Sequence, residues 1–116
     1  MARVLAGLRR YQEAERPPLP APMPALAEIA GATVRDYGGS GPPVLFIPSL
    51  INPPNILDLE GRSLLRWLAG RGRRVLLLDW GWPDRARHDL SVAGHVEHIL
   101  LPLLAALGEP VDLAGY

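Results

Sequence analysis

The groups in this chain with catalytic or ligating potential are few: three histidines, twelve carboxylates, a small number of serines and no cysteine. The stretch "HVEH", His95 to His98, puts two imidazoles and the Glu97 carboxylate close together, as a metal site would. On a helix turning 100° per residue, however, His98 falls nearly opposite the neighbouring apolar stripe and His95 at its margin, and zinc needs a further ligand from elsewhere. A solvated helix face without metal is the expectation. Ser40 in "GGSG" has the look of a nucleophile, but an elbow needs a strand before the serine and glycines two residues to either side. Ser40 precedes a strand and has Pro42 after it, so it reads as a plain turn. His88 lies in a polar loop with no obvious partner.

Two other stretches carry more information. "SLINPPNILDL", Ser49 to Leu59, follows an apolar run directly and mixes apolar residues with asparagines and prolines. It is either a rigid connection or a loop whose backbone N–H groups face a site where an oxyanion develops. "DWGWPD", Asp79 to Asp84, sets Trp80 and Trp82 beside two carboxylates. The plainer reading, which the residues alone favour, makes both tryptophans packing residues whose indole N–H finds a partner.

These stretches need elements to position them. Residues 2–15 suit a short helix, and "PPLPAPMP" at 17–24 favours extended, polyproline-like chain, so residues 1–31 read as an N-terminal segment with a tether. "ATVRDY" from Ala32 alternates like a half-exposed strand and runs into the turn cluster "GGSGPP". "VLFIP" from Val44, "RVLLLDW" from Arg74 and "VDLAG" from Val111 are continuous apolar runs of the kind that strands buried on both faces require. Between them lie a helix from about Gly61 to Gly70, with Leu64, Leu65 and Leu68 on one side, and a second from Ser91 or Val92 to Leu107. In the second, Val92, Val96, Ile99, Leu100, Leu103 and Leu107 form the stripe, Pro102 should kink or split it, and Gly108 ends it. Strands alternating with crossover helices specify an α/β fold, a mainly parallel sheet with helices on its faces and ligands at the carboxyl ends of the strands. Residues 32–116 would form that domain.

Length and composition limit the alternatives. A chain of 116 residues has room for one ordinary domain. Twelve arginines balance twelve acids, so nothing suggests wholesale attraction to nucleic acid or an anionic membrane. No apolar run is long enough to span a membrane, and "MARVLAGLRR" lacks the features of a signal peptide. The absence of cysteine fits a reducing compartment, and a cytoplasmic protein is expected.

Taken together, "VLFIPSLINPPNILDLEGRSLLRWLAGRGRRVLLLDWGWPD" and the closing "VDLAGY" resemble the polyhydroxyalkanoate synthase group of α/β-hydrolase-fold enzymes over about residues 32 to 116. The resemblance implies the N-terminal part of such a domain, ending one residue before the nucleophile, a Cys or Ser, with the acid and histidine further downstream. None of Asp79, Asp84, His88, His95 or His98 matches a triad position. The carried-over site residues are Ile51 and Asn52, with the Ile51 N–H foremost, as oxyanion-hole donors, and Gly115 and Tyr116 as the approach to the elbow. The resemblance also implies a parent acyltransferase that takes a hydroxyacyl-CoA thioester through a covalent acyl-enzyme, with no cofactor or metal. This chain alone is expected to be inactive. Alternatives are part of a generic esterase, or a non-catalytic assembly module that associates through an exposed sheet edge at Val111 to Gly115.

Overall fold

The apolar run of residues 74–79 needs partners on both edges and cover on both faces, and the rest of the molecule supplies them. A computed structural model describes residues 2–115. The chain passes through helix α1 (Ala2–Glu13), strands β1 (Ala25–Ile29), β2 (Ala32–Asp36) and β3 (Pro43–Ile47), and a small ribbon of β4 (Asp58–Leu59) and β5 (Arg62–Ser63). Helix α2 (Leu64–Ala69), strand β6 (Arg74–Asp79), a helical region made of α3 (Val92–His95), a π-helical turn (Val96–Leu100) and α4 (Leu101–Leu107), and strand β7 (Asp112–Gly115) complete it.

The main sheet has five strands in the order β1-β2-β6-β3-β7. It is mixed, which corrects the expectation of a mainly parallel sheet. β6, β3 and β7 pair in parallel, whereas β1 with β2 and β2 with β6 are antiparallel. For β1 and β2 the reason is local. Ala30 and Gly31, with φ of 50° and 78°, form a two-residue turn between Ile29 and Ala32, and a connection that short joins only antiparallel neighbours. β1 follows the proline-rich stretch and pairs with β2 across the Ala30-Gly31 turn. At the "GGSGPP" turn, Gly39 has φ of +92°, and a Cβ there would sit 1.8 Å from the Arg73 carbonyl oxygen, so the sheet closes only over a glycine.

Period-two alternation splits the apolar runs between two layers. Val44, Val75 and Leu77 pack with Leu57 and Leu65 on the α2 face. Leu45, Leu76, Leu78 and Trp80 pack with Ile99, Leu100 and Leu103 on the opposite face. The chain thus crosses from β3 to β6 by way of one face and from β6 to β7 by way of the other. That reversal at β3 is where ligand crevices form in open α/β sheets.

The second helix is continuous but changes type before Pro102. Leu101 donates its N–H to the Val96 carbonyl, five residues back, and this wider turn accommodates a proline that cannot donate and would crowd an ordinary turn. The π turn also shifts the phase of the stripe. Ile99, Leu100 and Leu103 are buried as expected, but Val92 is 71% exposed and Val96 lies at the surface. In α2, Leu65 is buried while Leu64 faces outward, because Arg62 and Ser63 are held in the ribbon and the helix begins at Leu64, capped by the Ser63 hydroxyl.

Leu45 is fully buried and Leu101 is 53% exposed. Leu45→Ala is expected to lower unfolding free energy by about 2–5 kcal/mol, and Leu101→Ala by roughly 0.5 kcal/mol or less. Urea titration at unchanged slope checks the contrast.

Candidate functional site

The carboxyl ends of β3 and β6 open into a cavity of ≈ 670 Å³. Its walls are three irregular segments: the loop Leu50–Asn55 after β3, the loop Gly81–Pro83 after β6, and the extended stretch Leu19–Pro22. Its floor is polar, formed by Arg35, Tyr37, Asp58 and Asp79, with Leu77 and Trp80 beneath. Apolar walls around a few convergent polar groups are the usual make-up of a small-molecule site.

Each wall has a physical anchor. Trp80 is buried, and its indole N–H donates to the Pro48 carbonyl at 2.9 Å, which fixes the root of one loop to the root of the other. In the β3 loop, the Asn52 N–H donates to the Ser49 hydroxyl at 3.2 Å. After β6, the Gly81 N–H donates to Asp79 Oδ1 at 3.0 Å, and Asp84 caps the short 3-10 turn Arg85–Arg87 by accepting from the Arg87 N–H.

The floor contains a buried carboxylate bonded to two other side chains. Asp58 is buried and accepts from Arg66 Nε at 2.8 Å, from Arg66 Nη2 at 3.0 Å and from the Tyr37 hydroxyl at 2.8 Å. Burial would push this carboxyl up, but hydrogen bonds from Arg66, Ser63 and Tyr37, together with the Arg66 charge, outweigh it and hold the group below its ordinary range. Burial pushes the Tyr37 phenol well above its ordinary value, and its bond to the Asp58 carboxylate adds to the rise, so Tyr37 is a neutral donor at physiological pH. Beside them Arg35 reaches Asp79 Oδ2 through Nε at 3.3 Å and the Met23 carbonyl through Nη1 at 3.0 Å.

The residues singled out in the sequence fall into two groups. Ile51, Asn52, Asp79, Trp80 and Trp82 all line this cavity. Gly115 stands beside Ile47 at the end of the β3–β7 ladder, level with the same edge, and Tyr116 lies outside the described residues. The histidines are elsewhere. His88 contacts Asp89 at the surface, and His98 is exposed. His95 meets Trp80 edge-on, with ring centroids 5.9 Å apart, and lies 2.9 Å through Nδ1 from the Ser91 carbonyl. An acceptor-only carbonyl fixes the proton on that nitrogen. Among the described residues no serine hydroxyl bonds to a histidine ring, and no three potential ligands gather where they could hold a metal ion. Trp82 is 92% exposed, so the expectation that both tryptophans pack holds for Trp80 alone. A rigid loop leaving the sheet, with Gly81 between the two rings, gives the second indole nothing to pack on.

The Tyr37–Asp58–Arg66 group was not singled out from the sequence. Its signal was faint: Tyr37 at the end of an alternating strand, and Asp58 inside the "ILDL" of the quoted motif.

With this geometry in view, the similarities to known proteins become interpretable. The chain is 40% identical over 75 residues to the poly(3-hydroxyalkanoate) polymerase subunit PhaC of Haloarcula marismortui, a match covering 64% of this chain and 16% of that protein. It is 36% identical over 79 residues to the corresponding subunit of Allochromatium vinosum, covering 63% of this chain and 22% of the relative. To the Synechocystis subunit it is 41% identical over 59 residues, or 50% of this chain and 16% of the relative. The chain is polyhydroxyalkanoate-synthase-like. No protein-family model matches it. The matched stretch of this synthase-like chain spans about a fifth or less of the length of these relatives. No described helix is long and apolar enough to cross a membrane.

The Asp58 group gives the synthase-like chain a pH signature. A carboxyl depressed in the folded state contributes stability that is fully present above its unfolded value, about pH 4, and is lost as pH falls through the folded value. Urea midpoints of the unsubstituted chain should therefore fall as the pH is lowered below about 4. Asp58→Asn should cost about 1–3 kcal/mol near neutral pH and flatten that fall. Parallel curves for the two proteins would contradict the assignment.

Proposed function

We propose that this cavity is the acyl-thioester end of an α/β-hydrolase-type acyltransferase site, of the kind that builds polyhydroxyalkanoate from hydroxyacyl-CoA. The observation that carries the proposal is the placement of the Leu50–Asn55 loop. It leaves the central parallel strand, walls the cavity, and stands level with Gly115 at the end of the neighbouring strand. In this reading the Asn52 N–H, already given to Ser49, stiffens the loop, and the Ile51 N–H is the donor held toward the developing oxyanion. Gly115 and Tyr116 lead to the nucleophilic Cys or Ser of the complete site. The thioester carbon is attacked there, the acyl group is held as an ester or thioester on the enzyme, and the coenzyme thiol leaves with a proton from the histidine base. A CoA thioester as substrate fits a cytoplasmic protein. In this reading none of Ser40, His88, His95 or His98 acts as nucleophile or base, and this chain binds the thioester without turning it over. The test is direct: hydroxybutyryl-CoA incubated with the purified chain should release no free thiol above the buffer rate, while binding is detected by calorimetry. Release that follows the protein through purification would overturn the assignment.

A second reading rests on β7. It is an edge strand of the sheet, with Leu113 53% exposed, so its outer edge can pair with a further strand, from a second copy of the chain or a partner. In that reading the chain self-associates, and Leu113→Lys returns it to the monomer on size-exclusion chromatography. A monomer at high concentration without the substitution removes this reading.

A further inference from the structure

The stretch preceding the sheet was expected to be a tether, yet it is bound to the site. Pro24 gives its carbonyl to the Asp36 N–H at 2.9 Å, which aligns the chain before β1 with the end of β2. Arg35 does more. Through Nη1 it holds the Met23 carbonyl, and through Nε it holds Asp79, the last residue of β6, so one guanidinium couples the stretch to the floor of the cavity. Pro20, Pro22 and Pro24 restrict the backbone between these anchors to extended conformations, which stiffens it without regular hydrogen bonding. The result is a partition. Pro20, Ala21 and Pro22 line the ≈ 670 Å³ cavity and also a second hollow of ≈ 390 Å³ beside Leu59–Gly61 and Arg66.

The side of the partition turned to the larger cavity has an apolar rim. Leu19 is 66% exposed, and Ile51 and Trp82, from the two loops that share the cavity with it, are each 92% exposed. Large apolar side chains left in water around a single concavity mark a surface that an apolar ligand covers. The thioester chemistry belongs at the floor, where the polar groups and the strand ends lie. The apolar end of an acyl chain then extends toward the rim.

We infer that Leu19–Pro22 is the chain-length-determining wall of the acyl site, with Leu19 the side chain that meets the distal carbons of the acyl group. This rests on the acyl-site reading given above. The segment acts by contact alone and takes no part in bond making. Each buried methylene is worth a factor of about four in affinity, so removing most of the Leu19 side chain is a measurable change even when burial is partial.

The experiment is titration calorimetry of the full chain with hydroxybutyryl-CoA, hydroxyoctanoyl-CoA and free coenzyme A. The unsubstituted chain is expected to bind the acyl thioesters more tightly than free coenzyme A. Leu19→Ala should weaken the octanoyl thioester roughly five- to twentyfold, leave coenzyme A unchanged, and affect the butyryl thioester less. Leu19→Trp should shift the preference the other way, toward the shorter chain, by filling the rim. Because Leu19 is largely exposed, neither substitution threatens folding, and matching circular dichroism spectra confirm this. An octanoyl-to-butyryl affinity ratio untouched by both substitutions overturns the inference while leaving the acyl site in place. Acyl thioesters that bind no better than coenzyme A to the unsubstituted chain overturn the acyl-site reading and the wall with it.

Discussion

The hydrogen bond from the Trp80 indole to the Pro48 carbonyl is the contact on which the functional edge depends. Both residues lie just beyond their strands, where the ladder no longer supplies partners, and both are buried. Each would be an orphaned polar group without the other, and burying such a group costs more than a surface bond returns. By satisfying each other they clamp the two loops that wall the cavity at their bases. Trp80 then has three further roles: its carbonyl accepts from the buried Arg87 guanidinium, its ring meets His95, and its body packs in the core with Ile99 and Leu100. Among the described residues Arg87 Nε itself finds no hydrogen-bond partner.

The floor of the cavity shows the same economy in charged form. Asp58 begins the small ribbon, Arg66 is on α2, and Tyr37 ends the chain segment after β2. A single carboxylate therefore fixes three elements relative to one another. A buried ion pair is poor evidence of net stability, because desolvation consumes much of its Coulombic gain. Here Arg66 stays partly in water and stacks over the Tyr37 ring at 5.5 Å, so the arrangement specifies geometry more than it adds free energy.

How much of this was readable from residue order follows from the range of the interactions. The apolar runs that form β3 and β6 are plain because burial on both faces leaves a signature within five or six residues, whereas β7 has the same kind of run yet lies largely exposed at the sheet edge. The loops at their carboxyl ends were legible by the same logic, and Ile51, Asn52 and Trp80 do line one cavity. β1 is hidden because its short run "ALAEI" follows a proline-rich stretch and its strand character comes from pairing with β2. The phase of the second helix was misjudged at Val92 and Val96 because a π turn adds a residue before Pro102, which periodicity counting does not register. The Arg35 bridge to Met23 and Asp79 joins positions far apart in the chain, and nothing local announces it.

Pro42 and Pro43, before and at the start of β3, and Pro48 after it have a consequence in time. β3 finds its partners in β6 and β7, both of which come later in the chain, so during synthesis Val44–Ile47 is made before anything can cover it. Four consecutive apolar residues with strong β propensity are the sort of segment that joins like segments of other chains. Pro42 and Pro43 on one side and Pro48 on the other lack the N–H groups that would extend a foreign ladder past the run. The same residues that frame the loop in the folded protein thus protect its most adhesive strand while it waits.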